Sequence, residues 1–214
     1  MNPGQVVEPT FGAPDVAVRP HPAIRSGRYW PPAQGMWTYD DYARLPENGF
    51  RYEVIQGALY MSPAPRPRHQ RAAFRLAHLL EACLESTPAG EIYLAPIDVV
   101  LPGLADPVQP DLIYIAAERL DIVSEIRIEA SPDMIAEVLS PATVQRDRTL
   151  KFEIYARAGI REYWIVDPAP DARTVEVYVL RGEAFALAGT FGPGDVMVSE
   201  VLPDCGLKVD AFLR

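Results

Sequence analysis

Cysteine and lysine are the scarce residues of this chain, at two each among 214, against eighteen arginines. Cys83 and Cys205 lie far apart, with no CxxC pair and no histidine at ligand spacing, which argues against a structural zinc site and gives no disulfide framework. Two buried, inert thiols are the expected state. No apolar run approaches the ~20 residues that cross a bilayer, and the start lacks a Lys/Arg-led apolar core. A cytoplasmic protein with no membrane partner is therefore expected. Also missing are a P-loop, a glycine-rich dinucleotide motif, a nucleophile elbow, an HExxH pair and any internal repeat. Positive charge is in deficit, with a net charge of −9, which argues against an indiscriminate nucleic-acid coat protein because such binding rests on neutralising phosphates. A local basic cleft stays open.

Proline is abundant at 22, and much of it precedes Trp37, mixed with glycine and small residues and without an apolar period. Such a segment buries too little to offset its ordering entropy, so residues 1–35 read as a poorly ordered or draped arm and residues 36–214 as a single domain. A hydrophobic fraction of 49% is ordinary for a globular chain of this length.

The most informative stretch is Met134-Ile-Ala-Glu-Val-Leu-Ser140. Its near-continuous apolar run reads as a strand covered on both faces, interrupted by Glu137. A carboxylate there costs several kcal/mol unless a metal, a cation or a proton meets it, so partners should converge on Glu137. Asp111, at the start of an expected strand 108–115, and Lys151 are the candidates. Lys151 falls inside the apolar arc of Leu150, Ile154, Tyr155 and Ala158 on a helix expected over 144–158, so it points at the sheet. The competing account is an Asp147/Lys151 pair on a helix surface, worth only about 0.2–0.5 kcal/mol.

Other elements follow from local signals. Thr38 is placed to cap a short helix ending near Pro46, and residues 51–55 and 58–61 flank a Gln56-Gly57 turn as a hairpin carrying Glu53. Glu53 is read equally as an exposed strand carboxylate or as a site residue. A helix over 68–86 puts His69 on the inward stripe with Ala72, Leu76 and Leu80, where it serves as a hydrogen-bonded structural histidine or as a substrate contact. Arg66, Arg68, Arg71 and Arg75 make this the most basic segment, suited to a phosphate backbone or to a solvated face. Residues 91–101 read as one long strand with Pro96 at a bulge or edge, 102–107 as turns, 160–167 as a strand parallel to 134–139, and 174–187 as a second hairpin.

Residues about 37–180 resemble the bacterial restriction-endonuclease group called "Uma two", a branch of the PD-(D/E)XK nuclease superfamily. The matching pieces are Tyr52-Glu-Val-Ile-Gln-Gly-Ala-Leu, Ser62-Pro with Arg68-His-Gln70, Gln109-Pro-Asp-Leu, Glu137-Val-Leu-Ser-Pro141, Arg146-Asp147 with Lys151, and Tyr155-Ala-Arg-Ala-Gly-Ile-Arg-Glu-Tyr-Trp-Ile-Val-Asp-Pro168. The resemblance implies an α/β (α+β) restriction-endonuclease-like fold, a mixed central β-sheet flanked by helices with additional β-hairpins. It implies Mg²⁺, with Mn²⁺ as a substitute, held by Asp111 and Glu137. It further implies Lys151 and Glu53 as catalytic partners and His69 at an accessory position; with the basic charge of their segment, His69, Arg68 and Arg71 are the expected contacts to a DNA substrate. The superfamily lysine ordinarily lies two residues after the second acid, where this chain has Leu139, and Lys151 on the following helix is its counterpart. The reading is a Mg²⁺-dependent DNA endonuclease, with a catalytically inactive nuclease-fold binding or assembly protein as the alternative. The hairpin of residues 173–188 offers a contact for a homodimer.

Overall fold

The computed structural model describes residues 30–85 and 89–214. The expected arm lies outside them up to position 29. At its end Trp30 packs edge-on against Trp37, and the Gln34 amide exchanges hydrogen bonds with the backbone of Leu59 at 2.7 and 3.1 Å.

Helix α1 (Tyr39–Tyr42) is a single turn, held by a reciprocal Thr38/Asp41 capping box. The hairpin β1 (Arg51–Ile55) and β2 (Ala58–Ser62) turns at Gln56 and Gly57, both with positive φ, as a two-residue turn between right-twisted strands requires. Helix α2 (Pro67–Leu84) starts on a proline, whose missing N–H costs nothing in a first turn. The strand expected over 91–101 is two: β3 (Gly90–Leu94) and β4 (Val99–Leu101) belong to different sheets, with the chain turning at Ala95-Pro96, where proline can donate no ladder bond. Part of the expected turn segment forms β5 (Ala105–Val108), followed by β6 (Leu112–Ala116) and a 3₁₀ turn at Ala117–Ile122. Then come β7 (Met134–Val138), α3 (Val144–Arg148), α4 (Leu150–Arg157), β8 (Glu162–Asp167) and the hairpin β9 (Thr174–Arg181) and β10 (Ala184–Phe191). The chain closes through β11 (Val196–Met197), β12 (Leu207–Lys208) and α5 (Val209–Phe212). The single helix expected over 144–158 is broken at Thr149, whose hydroxyl bonds back to the Gln145 carbonyl and whose backbone leaves helical geometry.

The central sheet runs β10-β9-β8-β7-β6-β3, with β7 and β8 parallel and the other pairs antiparallel. It is covered on both faces, and the two-residue strand period divides the residues between them. Met134, Ala136 and Val138 of β7 join Trp164 and Val166 of β8 against Ala72, Leu76 and Leu80 of α2. Ile135, Tyr163 and Ile165 face the other way, onto Ile154 and Tyr155 of α4 and onto a second sheet of order β2-β1-β5-β4. By the same alternation Glu137 projects to the side of α4 and the second sheet.

The cysteines correct the expectation of inert thiols. Cys83, near the end of α2, and Cys205, just before β12, form a disulfide with Cα atoms 5.8 Å apart. Packing of the C-terminal segment onto α2 brings them together, a tertiary contact that spacing alone does not reveal. The bond closes a loop of over a hundred residues, and such closures contribute about 2–4 kcal/mol. Unfolded, unreduced protein is accordingly expected to show no titratable thiol. Reductant should expose two and lower the melting temperature; two free thiols without reductant would contradict the pairing.

Candidate active site

Four elements deliver the site. Antiparallel pairing sets Leu112 opposite Ala136, so the residue entering β6, Asp111, lies beside the exit of β7. There the Val138 N–H donates to Asp111 Oδ2 at 2.9 Å. Glu137 is the penultimate residue of β7. Glu53 comes from the middle of β1, its Oε1 accepting from the Gln109 N–H at 2.9 Å, a bond that ties the second sheet to the lead-in of β6. Lys151 stands buried in the first turn of α4, just after the break at Thr149.

The Lys151 ammonium is at the middle. Nζ lies 2.8 Å from Glu137 Oε1, 2.7 Å from Glu53 Oε1 and 3.9 Å from Asp147 Oδ1, with all four residues buried. The Tyr155 hydroxyl also donates to Glu137 Oε1, at 2.7 Å, whereas Glu137 Oε2 makes no hydrogen bond with any described residue. Asp111 is held on both oxygens: Arg51 Nη1 and Nη2 donate to Oδ1 at 2.9 and 3.0 Å, and His69 Nε2 lies 2.9 Å from Oδ2. Arg146 Nη2 donates to Ser62 Oγ at 2.6 Å and approaches Glu53 Oε2 at 3.3 Å. These side chains line one cleft of about 820 Å³, walled by residues 61–66 on one side and by the Ser140–Arg146 turn on the other.

Four carboxylates (Glu53, Asp111, Glu137, Asp147) thus share three permanent cations (Arg51, Arg146, Lys151), and the imbalance sets the protonation pattern. Burial works to raise Asp111, but the His69 hydrogen bond and the Arg51 charge hold it at about 2. Glu53 is also lowered, the charges of Lys151 and Arg146 outweighing its burial. Glu137 goes the other way, up to about 8, because it is buried and meets Asp147, Asp111 and Glu53 as well as Lys151. Lys151 rises above the ordinary range for an amine, the carboxylates overcoming the effect of burial. The two shifts are compatible, since Lys151 keeps its charge on Glu53 while Glu137 carries the surplus proton. An ammonium held this firmly orients groups and stabilises charge but does not accept a proton.

Of the expected site residues, Lys151 is in direct contact with both Glu53 and Glu137, and Asp111 adjoins them through Val138 and Arg51. His69 reaches Asp111, so its hydrogen-bonded role is the one the structure shows. Arg68 and Arg71 are exposed on α2, outside the cleft in a neighbouring pocket. Glu53 is buried, not an exposed strand residue. Asp147 joins the cluster from α3, so the pair with Lys151 is buried and part of a larger group. Sequence reasoning gave no site role to Arg51, Arg146 or Tyr155. The one signal for Tyr155 was its place next to Lys151 on the same helical arc.

The donor set suits a hard divalent cation in kind: carboxylate oxygens converge, they outnumber the fixed cations, and Glu137 Oε2 is unengaged. Asp147 Oδ1, buried and 3.9 Å from Lys151 Nζ, likewise has no hydrogen-bond partner among the described residues. Among the described residues no three His, Cys, Asp or Glu side chains stand at ligand spacing, and Asp111 can join only as Arg51 or His69 yields.

The position of Glu137 makes stability depend on pH. Between its ordinary 4.5 and about 8 the folded chain holds a proton that the unfolded chain has released, so unfolding free energy falls as pH rises through that window. Asp111 contributes the opposite slope, confined to acid near its value of about 2. In chelator, the wild type is expected to lose on the order of a few kcal/mol relative to Glu137→Gln between about pH 5 and about pH 8. Parallel stability profiles for the two proteins would contradict the placement of the proton.

Known proteins bear on this geometry. A family model described as "Uma2: Putative restriction endonuclease" matches residues 39–210. Among solved structures, one titled as a "putative nuclease belonging to DUF820" from Anabaena variabilis superposes with a TM-score of 0.68 at 20% identity, covering 83% of this chain and 97% of that one. At that identity the likeness speaks to the fold, which is the mixed, helix-flanked sheet of restriction-endonuclease-like nucleases. A comparison with the curated proteins gave no match. With the family model spanning most of the chain, from α1 to α5, this protein belongs to the Uma2 restriction-endonuclease family.

Proposed function

We propose that the chain is a Mg²⁺-dependent DNA endonuclease. The observation that carries this reading is a buried ammonium fixed on Glu137, whose second oxygen is free in a cleft shared with Asp111. Glu137 and Asp111 would hold the ion. Mg²⁺, or Mn²⁺ in its place, supplies charge neutralisation at the phosphate and a lowered pKa for water when bound.

The remaining roles belong to the protein. Hydrolysis joins a water oxygen to phosphorus, breaks one phosphorus–oxygen ester bond and leaves a proton on the departing alkoxide. Lys151 stays charged throughout, orienting the attacking water and stabilising negative charge on phosphorus, while Glu53 holds Lys151 in place. Tyr155 fixes the Glu137 carboxylate from behind. His69 keeps Asp111 oriented, and Arg51 balances its charge when no ion is present.

A second reading, a catalytically silent nuclease-fold binding protein, is favoured by one specific observation: every Asp111 oxygen is already engaged by the protein. Plasmid nicking in Mg²⁺ or Mn²⁺ separates the two. The wild type is expected to nick, and Glu137→Ala and Lys151→Ala to lose at least about 100-fold in rate. Equal residual cleavage in all three proteins would remove the enzyme reading. Calorimetry adds a measure that needs no turnover. Divalent ion should bind the wild type and fail on Glu137→Ala, and no uptake by the wild type would favour the silent reading.

A further inference from the structure

Arginine is treated in two ways on this molecule. Outside one region, eight of the nine described arginines pair with a carboxylate, and the ninth, Arg44, stacks on Trp30. The other six, Arg66, Arg68, Arg71, Arg75, Arg173 and Arg214, have no ion pair with any described residue. Those six are gathered in one place. Arg68, Arg71, Arg173 and Arg214 line a single pocket of about 190 Å³ floored by Ala72, Phe212 and Leu213, and Arg75 feels the charges of Arg71 and Arg214. In a chain of net charge −9, six uncompensated arginines on one surface repel one another and call for an anionic partner.

The pocket is continuous with the catalytic cleft. A groove of about 590 Å³ shares Arg68, Pro168 and Pro170 with it and shares Arg66, His69, Ser140 and Pro141 with the cleft. One carboxylate borders this groove, Asp167, whose Oδ1 is already used to accept from the Ala169 N–H at 2.9 Å. Apart from Ser140 and His69, the walls are otherwise apolar or cationic. Such a surface matches a run of phosphates better than a lone anion, because its charges continue past the pocket, with Arg68 and Arg66 lining the groove toward the cleft.

We propose that this arginine groove is a docking track for the phosphate backbone of DNA, holding the substrate on the α2 and α5 side of the cleaved bond. The occupant's identity rests on the nuclease reading above; the charge and continuity of the groove do not. Contacts to phosphates alone contribute affinity and orientation without sequence preference.

The test is binding without turnover. Fluorescence anisotropy of a labelled 20-base-pair duplex, in EDTA and over a series of salt concentrations, would compare wild type with Arg68→Ala/Arg71→Ala/Arg173→Ala. A control would carry Arg157→Ala/Arg161→Ala/Arg181→Ala, three exposed arginines that are ion-paired elsewhere. The groove variant is expected to bind at least about tenfold more weakly, with its salt dependence reduced by about two to three ion equivalents. The control should stay within about twofold. Lysine at the three groove positions should keep most of the salt dependence, separating lost charge from lost fold. Unchanged affinity and slope in the alanine variant would overturn the proposal even if the wild type nicks plasmid. Arginine-dependent binding by a wild type that does not nick would retain the groove and discard the nuclease. Anionic phospholipid vesicles form a further arm, and groove-dependent vesicle binding without duplex binding would also overturn the proposal.

Discussion

The contact on which the rest depends is the Lys151 ammonium between Glu137 and Glu53. Glu137 belongs to the central sheet, Glu53 to the second sheet and Lys151 to α4, so one point charge fastens three layers at the place where they meet. Burying such a group costs several kcal/mol in lost hydration, and mutual attraction recovers that cost only when the geometry is tight and the remaining lone pairs are met. The tyrosine hydroxyl, the Gln109 amide and Arg146 meet most of them. A purely structural design would fill the same volume more cheaply with apolar side chains. The excess of acid over fixed cation, with Glu137 Oε2 and Asp147 Oδ1 both lacking hydrogen bonds to described residues, is what distinguishes this cluster from a simple internal salt bridge.

The fold places this cluster at one end of a sheet whose central strands β6, β7 and β8 are buried on both faces. Strand alternation sends apolar residues of β7 toward α2 and directs Glu137 to the opposite side. The antiparallel entry of β6 then adds Asp111 at the same edge. On the far face the disulfide from α2 to the C-terminal segment fixes the wall that carries the unpaired arginines. Acidic cleft and basic groove are in this way built from opposite faces and open at adjoining rims, where Arg66, His69 and Pro141 are common to both.

Much of this was legible in the order of residues, for reasons that differ by residue. Glu137 announced itself because a single carboxylate interrupts an apolar run. Lys151 did so because helical periodicity put a charge on a buried face. Asp111 was weaker, a residue at a strand start whose meaning came from the family resemblance. Arg51 gave no signal and Arg146 only its place in a matching piece, since an arginine at a strand or helix edge looks the same in sequence whether it meets water or a buried acid. The disulfide escaped for a similar reason: its two halves come from segments that only the tertiary packing joins. Local breaks were misjudged where a proline or a threonine competes with the backbone ladder, at Pro96 and at Thr149.

Arg51 occupies Asp111 Oδ1, and it is the cluster's most accessible cation, with about a fifth of its side chain exposed (22%). Loading of the site is therefore expected to be an exchange of one cation for another. The most direct measurement is a crystal of the protein grown with Mn²⁺ and read for anomalous density. The account calls for a peak between Glu137 and Asp111, with the Arg51 guanidinium withdrawn from Asp111 and Lys151 still on Glu53. A saturated soak with no peak there, and with Arg51 still paired to Asp111, would contradict it.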